Sequence, residues 1–211
     1  MEEKILKWKE RKFSWSQMSS FEFDKEQWYR KYYLGEPQKV SEEMGFGKDV
    51  GEKLATDPSF MPHIPRQKHM EYGVQVALGS VELIGYFDSF DDIPEGGVYP
   101  LQEYKTGRKP WDQKRADNHG QITFYCLLLW LAKKIKPHDV QPYIHWMPTE
   151  EVEQSFSDFL GGKRKIEFTK NVKPLTFVTK RTMADVLVFA ARINKTVKDM
   201  EDYIHLREQQ S

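Results

Sequence analysis

Gly85-Tyr-Phe-Asp88, the turn segment Asp91-Asp-Ile-Pro-Glu-Gly-Gly97, and Gln102-Glu-Tyr-Lys-Thr-Gly107 decide how this chain reads. Val81 to Phe90 is expected to form one strand and Val98 to Lys105 the next, joined by a tight connection. Glu103 and Lys105 are two apart on a strand, so their side chains leave the same face. Antiparallel pairing across the connection brings Asp88 beside Glu103. Two carboxylates at one spot repel unless a cation neutralises them, and hard oxygen donors suit Mg²⁺ or Mn²⁺. A lysine next to such a pair is held charged and can stabilise negative charge developing in a reaction.

Outward from this centre, Tyr72, Val74, Val76 and Leu78 alternate with a period of two and predict a strand. The first third is helical in texture. Ser16 and Asp24 are expected N-caps of two short helices, and Trp28, Tyr29, Tyr32 and Tyr33 give the second an aromatic face. Ser41 is expected to cap a helix over 42–55, interrupted by Gly45, Gly47 and Gly51, with a loop from Asp57 to Pro65. Downstream, a polar basic loop runs to Asn118 and a buried helix is expected from His119 to Ile135. Strands at Gln141–Met147 and Lys165–Thr169 follow, then an amphipathic helix from Thr182. Its expected apolar stripe is Met183, Leu187, Ala190, Ile193, Val197, Met200 and Ile204. The pattern predicts an α/β fold, a central mixed sheet flanked by helices, as one domain over 1–211.

Composition sets the limits. The 211 residues hold 32 Lys+Arg against 32 Asp+Glu, so no uniformly basic coat exists, although a local basic groove is compatible. With 6 Trp, 10 Tyr and 13 Phe, a ring-rich core can form and disorder is excluded. The single cysteine, Cys126, excludes an intramolecular disulfide and a four-Cys iron–sulfur cluster, and it fits a reducing, cytoplasmic setting. The N-terminus lacks the apolar core of a signal peptide, and the apolar run Ile122 to Ala132 is too short to span a bilayer. The histidines at 63, 69, 119, 138, 145 and 205 show no metal-ligand spacing, and Gly45-Phe-Gly47-Lys48 is not a phosphate-binding loop.

Asp-x14-Glu-x-Lys, with Gly85 three before the aspartate and Thr106-Gly107 after the lysine, resembles the PD-(D/E)XK nuclease superfamily, and within it the RecB-like and phage exonuclease branch. Gln121 and Tyr125 match that branch's Gln-x-x-x-Tyr on the following helix, and an i, i+4 pair shares a face. Ser14-Trp-Ser-Gln-Met-Ser-Ser-Phe21 and Trp28 to Leu34 are similar to its N-terminal helices. The resemblance implies a restriction-endonuclease-like domain that cuts DNA with Mg²⁺ or Mn²⁺, most simply as an exonuclease of recombination, repair or phage DNA processing. It implies that Asp88, Glu103 and the Tyr104 carbonyl ligate the metal, that Lys105 acts on the attacking water or the charged transition state, and that Gln121 and Tyr125 position these groups. Relatives often carry a metal-binding His four residues after a Gly in the first helical region. Gly51 stands at that offset here, and Glu52, one place on, is the expected substitute.

Lys105, Arg108, Lys109, Lys114 and Arg115 cluster after the catalytic strand with Trp111 among them, a composition suited to phosphate contacts and base stacking. Lys163-Arg-Lys165 is a second basic run. Glu71 and Asp112 read as surface carboxylates. Two other classes stay open: a non-catalytic nucleic-acid-binding module with the same fold, and a nuclease subunit active only with a helicase or annealing partner.

Overall fold

Ser14 opens the first helix by accepting the Gln17 amide with its hydroxyl, so the cap expected at Ser16 falls two residues earlier. The computed structural model describes residues 12–94, 96–153 and 164–210. After α1 (Trp15–Phe23), Asp24 caps α2 (Lys25–Trp28), which widens into a π-turn over Tyr29–Tyr33. Trp28, Tyr29 and Tyr33 enter the core, while Tyr32 is half-buried. Ser41 caps α3 (Glu42–Thr56), and the three glycines expected to interrupt this helix do not.

β1 (His69–Leu78) and β2 (Val81–Phe90) form an antiparallel hairpin turned at Gly79, whose φ of 59° suits a residue without Cβ. β3 (Tyr99–Gly107) touches β2 through only two antiparallel pairs, Ser89–Gln102 and Phe90–Leu101. A parallel neighbour for β3 requires a crossover. It is supplied by α4 (Gln113–Asp117), which the sequence did not announce, and by α5 (Gly120–Lys133). The chain then returns as β4 (Val140–Glu153), whose residues 140–148 pair parallel with the whole of β3. β5 (Arg164–Phe168) and β6 (Leu175–Val178), the latter also unannounced, pair antiparallel with β4. The sheet order is β1-β2-β3-β4-β5 with β6 on β4, a six-stranded, mostly antiparallel sheet flanked by helices.

α5 is apolar almost all round because it is covered on both sides. Residues 122–129 are all buried, against β1 and β2 on one side and α6 (Met183–Gln209) on the other. Gly85 permits this approach: a Cβ there would sit 2.5 Å from a Leu128 methyl. Truncating Leu128 to Ala would cost about 2–5 kcal/mol. α6 begins with a capping box between Thr182 and Asp185. Its buried stripe is Val186, Phe189, Ile193, Val197, Met200 and Ile204; Leu187, expected inside, is exposed. The apolar ridge is therefore rotated by one residue from the expected one at its start. Lys163 and Glu95, parts of two sequence readings, lie outside the described residues. No helix among the described residues is long and apolar enough to cross a membrane.

Candidate active site

The site grows out of a gap in strand pairing. Buried positions on β2 alternate through Val81, Leu83, Gly85, Phe87 and Ser89, so the Asp88 side chain leaves the opposite face, and only the terminal Phe90 departs from the pattern. Opposite it on β1, Glu71 holds a φ of 52°, and the ladder passes from Met70–Ser89 to Tyr72–Phe87 without them. The ladder with β3 also stops one step short of an Asp88–Glu103 pair. Freed from regular pairing, the Asp88 carboxylate accepts the Tyr104 N–H at 2.6 Å and bridges the two splaying strands with its side chain.

Glu103 and Lys105 leave one face of β3, as their spacing requires, and form an ion pair. Glu103 is 1% exposed; one carboxylate oxygen meets Lys105, and the other, Oε2, is buried with no hydrogen-bond partner. Lys105 Nζ also donates to Gln121 Oε1 at 2.8 Å. Lysine has only donors, so it must meet the oxygen of the Gln121 amide. The amide nitrogen then donates to Tyr125 OH at 2.6 Å, and that hydroxyl donates to the Tyr86 carbonyl at 2.6 Å. Each link fixes the orientation of the next, from Glu103 to the backbone of β2.

Electrostatics follow from burial and crowding. Burial, then repulsion from Glu103, holds the Asp88 carboxyl well above the usual carboxylate range. Burial raises Glu103 too, against the pull of Lys105. Burial alone would lower Lys105, but Glu103 and Asp88 outweigh it and keep the ammonium charged. His119, beside Trp15 and Trp111, is pushed down to about 3 by burial and stays neutral. His145, also buried, bonds buried Gln102 on one side and exposed Thr176 on the other and is pushed down to about 4 by burial.

Under α3 the splayed strands leave a cavity of about 320 Å³, lined by Glu43, Lys48, Glu71, Asp88, Lys105 and Thr106 among others. Gly47 seats the helix on β3, since a Cβ there would lie 3.1 Å from the Thr106 hydroxyl. Glu52 is exposed and does not line this cavity, because Gly47, Val50 and Gly51 occupy the inward face of the helix. The substitution of Glu52 for a family histidine is therefore not supported by its position. Trp111 is also corrected. Its ring is buried, with the Arg115 guanidinium 4.3 Å from its centroid and His119 edge-on at 5.0 Å, so it is not presented to a base. Arg108 is exposed but pairs with Glu151 at 2.8 Å and Glu43 at 3.4 Å. Lys109, Lys114 and Arg115 are exposed on the loop and α4, with Arg115 also donating to the carbonyls of Lys109 and Pro110.

Sequence reasoning missed two residues here. Glu71, read as a surface carboxylate, is exposed as read but also lines the cavity; counting register back from the turn would have set it opposite Asp88. Arg181 is 4% exposed and donates to Thr123, Thr179 and the carbonyls of Ala116, Lys180 and His119, tying down the start of α5. No sequence pattern marks it.

The oxygen donors fit a divalent cation. Asp88 and Glu103 converge, Glu103 Oε2 lacks a partner, and the Tyr104 carbonyl leaves β3 on the edge where its N–H meets Asp88. Among the described residues no three acidic or histidine side chains stand close enough to hold an ion by themselves. The set present is two carboxylates and a backbone carbonyl.

A family model for the PD-(D/E)XK nuclease superfamily matches residues 13–202. Among solved structures, that of SSO0001 is 11% identical with a TM-score of 0.48, over 93% of this chain and 85% of that one. A candidate exonuclease from Eubacterium rectale is 12% identical with a TM-score of 0.37, over 92% of this chain and 65% of that one. No curated protein matches the chain.

Proposed function

The chain belongs to the PD-(D/E)XK nuclease superfamily, and from that premise we propose that it hydrolyses DNA phosphodiester bonds at Asp88, Glu103, Lys105, Gln121 and Tyr125, with Mg²⁺ or Mn²⁺ as cofactor. The observation that carries this reading is the unbroken Glu103–Lys105–Gln121–Tyr125 network beside Asp88, with a buried carboxylate oxygen left unpartnered. Asp88, Glu103 and the Tyr104 carbonyl would hold a divalent cation, which would supply Lewis acidity towards the phosphate and lower the pKa of water in the site.

Lys105 stays protonated, so it serves as donor and charge rather than as base. Glu103 and Gln121 take two of its three N–H groups, and the third is left for the attacking water or a non-bridging phosphate oxygen. It offsets charge that grows in the transition state, in a water-poor site where such charge counts most. Gln121 fixes the ammonium, and Tyr125 fixes Gln121. Lys109, Lys114 and Arg115, with Arg108 partly neutralised, meet the flanking phosphates.

The order Glu-Tyr-Lys-Thr-Gly then Gln-x-x-x-Tyr supports an exonuclease of the RecB-like or phage type, working as one domain in recombination, repair or phage DNA processing. The lone cysteine suits the cytoplasm. The test is digestion of end-labelled linear DNA beside closed circular DNA in Mg²⁺ and Mn²⁺. Linear substrate should be degraded and circular DNA spared. Cutting of circles would make the enzyme an endonuclease. Inactivity on every DNA and RNA would favour the binding module, and activity gained only with a helicase or annealing protein would make the chain a subunit.

A further inference from the structure

Glu71 is the carboxylate of the cleft that the proposed centre leaves unused. We propose that Glu71 is a third acidic group of the cation site, supplied from β1 and holding the ion through its water shell. The proposal rests on the nuclease reading of the cleft and adds a ligand that this reading does not contain.

Four observations support it. Glu71 lines the same cavity as Asp88 and Lys105, at the register position facing Asp88. Its carboxylate oxygen lies 3.9 Å from where a side chain on Gly51 would begin, so it occupies room that α3 leaves open. Its charge reaches the centre, acting on Asp88, Glu103 and Tyr125 alike. Independently of these, Glu103 Oε2 is buried without a partner, which marks a missing positive group. Asp88, Glu103 and Glu71 against the Lys105 ammonium leave a surplus of two negative charges, the charge of one divalent cation.

The left-handed backbone at Glu71 is consistent with this placement. A φ of 52° is costly for a residue with Cβ, of the order of 1–3 kcal/mol, and is kept where the surroundings impose it. No three acidic side chains already enclose a point, so the contact runs through water rather than directly.

The test is Mn²⁺ binding to the full chain, followed by the electron paramagnetic resonance of free Mn²⁺, with melting temperature in EDTA measured beside it. Wild type should bind, and Asp88→Asn should abolish binding. Glu71→Gln and Glu71→Gly should each weaken it about 10- to 100-fold, as loss of an outer-shell partner does. Glycine suits the backbone at this position, so Glu71→Gly should melt in EDTA no lower than wild type, which separates lost affinity from lost folding. If both Glu71 variants bind as wild type while Asp88→Asn does not, the inference is overturned and the two-carboxylate centre stands. If wild type binds no Mn²⁺, the centre falls, and Glu71 with it.

Discussion

Asp88→Asn separates charge from shape at the centre. The amide oxygen can still accept the Tyr104 N–H, so the bridge between β2 and β3 survives while the negative charge goes. Neighbouring strands are about 4.8 Å apart, and two charges at that spacing repel by about 3–4 kcal/mol at an effective dielectric of ~20. Lys105 offsets roughly half of this through its pair with Glu103, so without metal the variant should be about 1–2 kcal/mol more stable at pH 7.5. For a chain of this size that is a rise in Tm of about 2–8 °C. The sign of the pH dependence follows from the raised carboxyl. Its stabilisation is fully present below the unfolded-state pKa near ~3.9 and is lost as pH rises through the higher folded-state value. Wild-type Tm in EDTA should therefore fall between mildly acidic and neutral pH more steeply than that of the variant. Mn²⁺ should restore it, by about 2.7 kcal/mol at a hundred times Kd, and should do nothing for Asp88→Asn. A variant that melts lower than wild type in EDTA at pH 7.5, or that keeps the Mn²⁺-dependent rise, would refute the reasoning.

Lys105→Ala should lower turnover by about 100- to 1000-fold while DNA affinity measured in Ca²⁺ changes little, because one phosphate contact is a small part of the electrostatic total; normal cutting by this variant would remove Lys105 from the chemistry. Lys109→Ala with Lys114→Ala should reduce the slope of log affinity against log salt by about 1–2, with turnover at saturating DNA nearly kept, as filter binding at several ionic strengths would show. Arg181→Met leaves buried acceptors at Ala116, His119 and Thr123 unpaired, so urea unfolding should show a loss of about 2–4 kcal/mol, with activity falling because Gln121 sits on the helix that Arg181 anchors.

How far the sequence could be read depended on the range of the interactions. Periodicity and caps are local, so β2, the covered helix and Thr182 were readable, as was the shared face of Glu103 and Lys105. Gln121 and Tyr125 were readable as an i, i+4 pair, although only the folded chain shows that Lys105 is what they hold. β6 escaped because four residues, all exposed but Phe177, carry no alternation signal; it exists by pairing with β4. Trp111 and Glu52 failed for a different reason. Nearness in sequence to a basic loop or to a family position does not say which way a side chain turns, and tertiary packing turned one inward and the other outward.

The gap in pairing at Asp88 explains why the centre stands where it does. In an unbroken ladder the Tyr104 N–H would be consumed by the β2 backbone and would not hold the Asp88 carboxylate. Because the β2–β3 pairing ends at Ser89–Gln102, the Asp88 side chain takes the Tyr104 N–H in place of a ladder carbonyl. β3 keeps full parallel pairing to β4 on its other edge, so Glu103 and Lys105 remain on a rigid strand while their neighbour yields. The sheet thus gives up a few hydrogen bonds at one point to gather oxygen donors there, and the rigidity of β3 keeps Lys105 in reach of Gln121. Restoring regular β1–β2–β3 pairing through this row would strengthen the sheet and close the site.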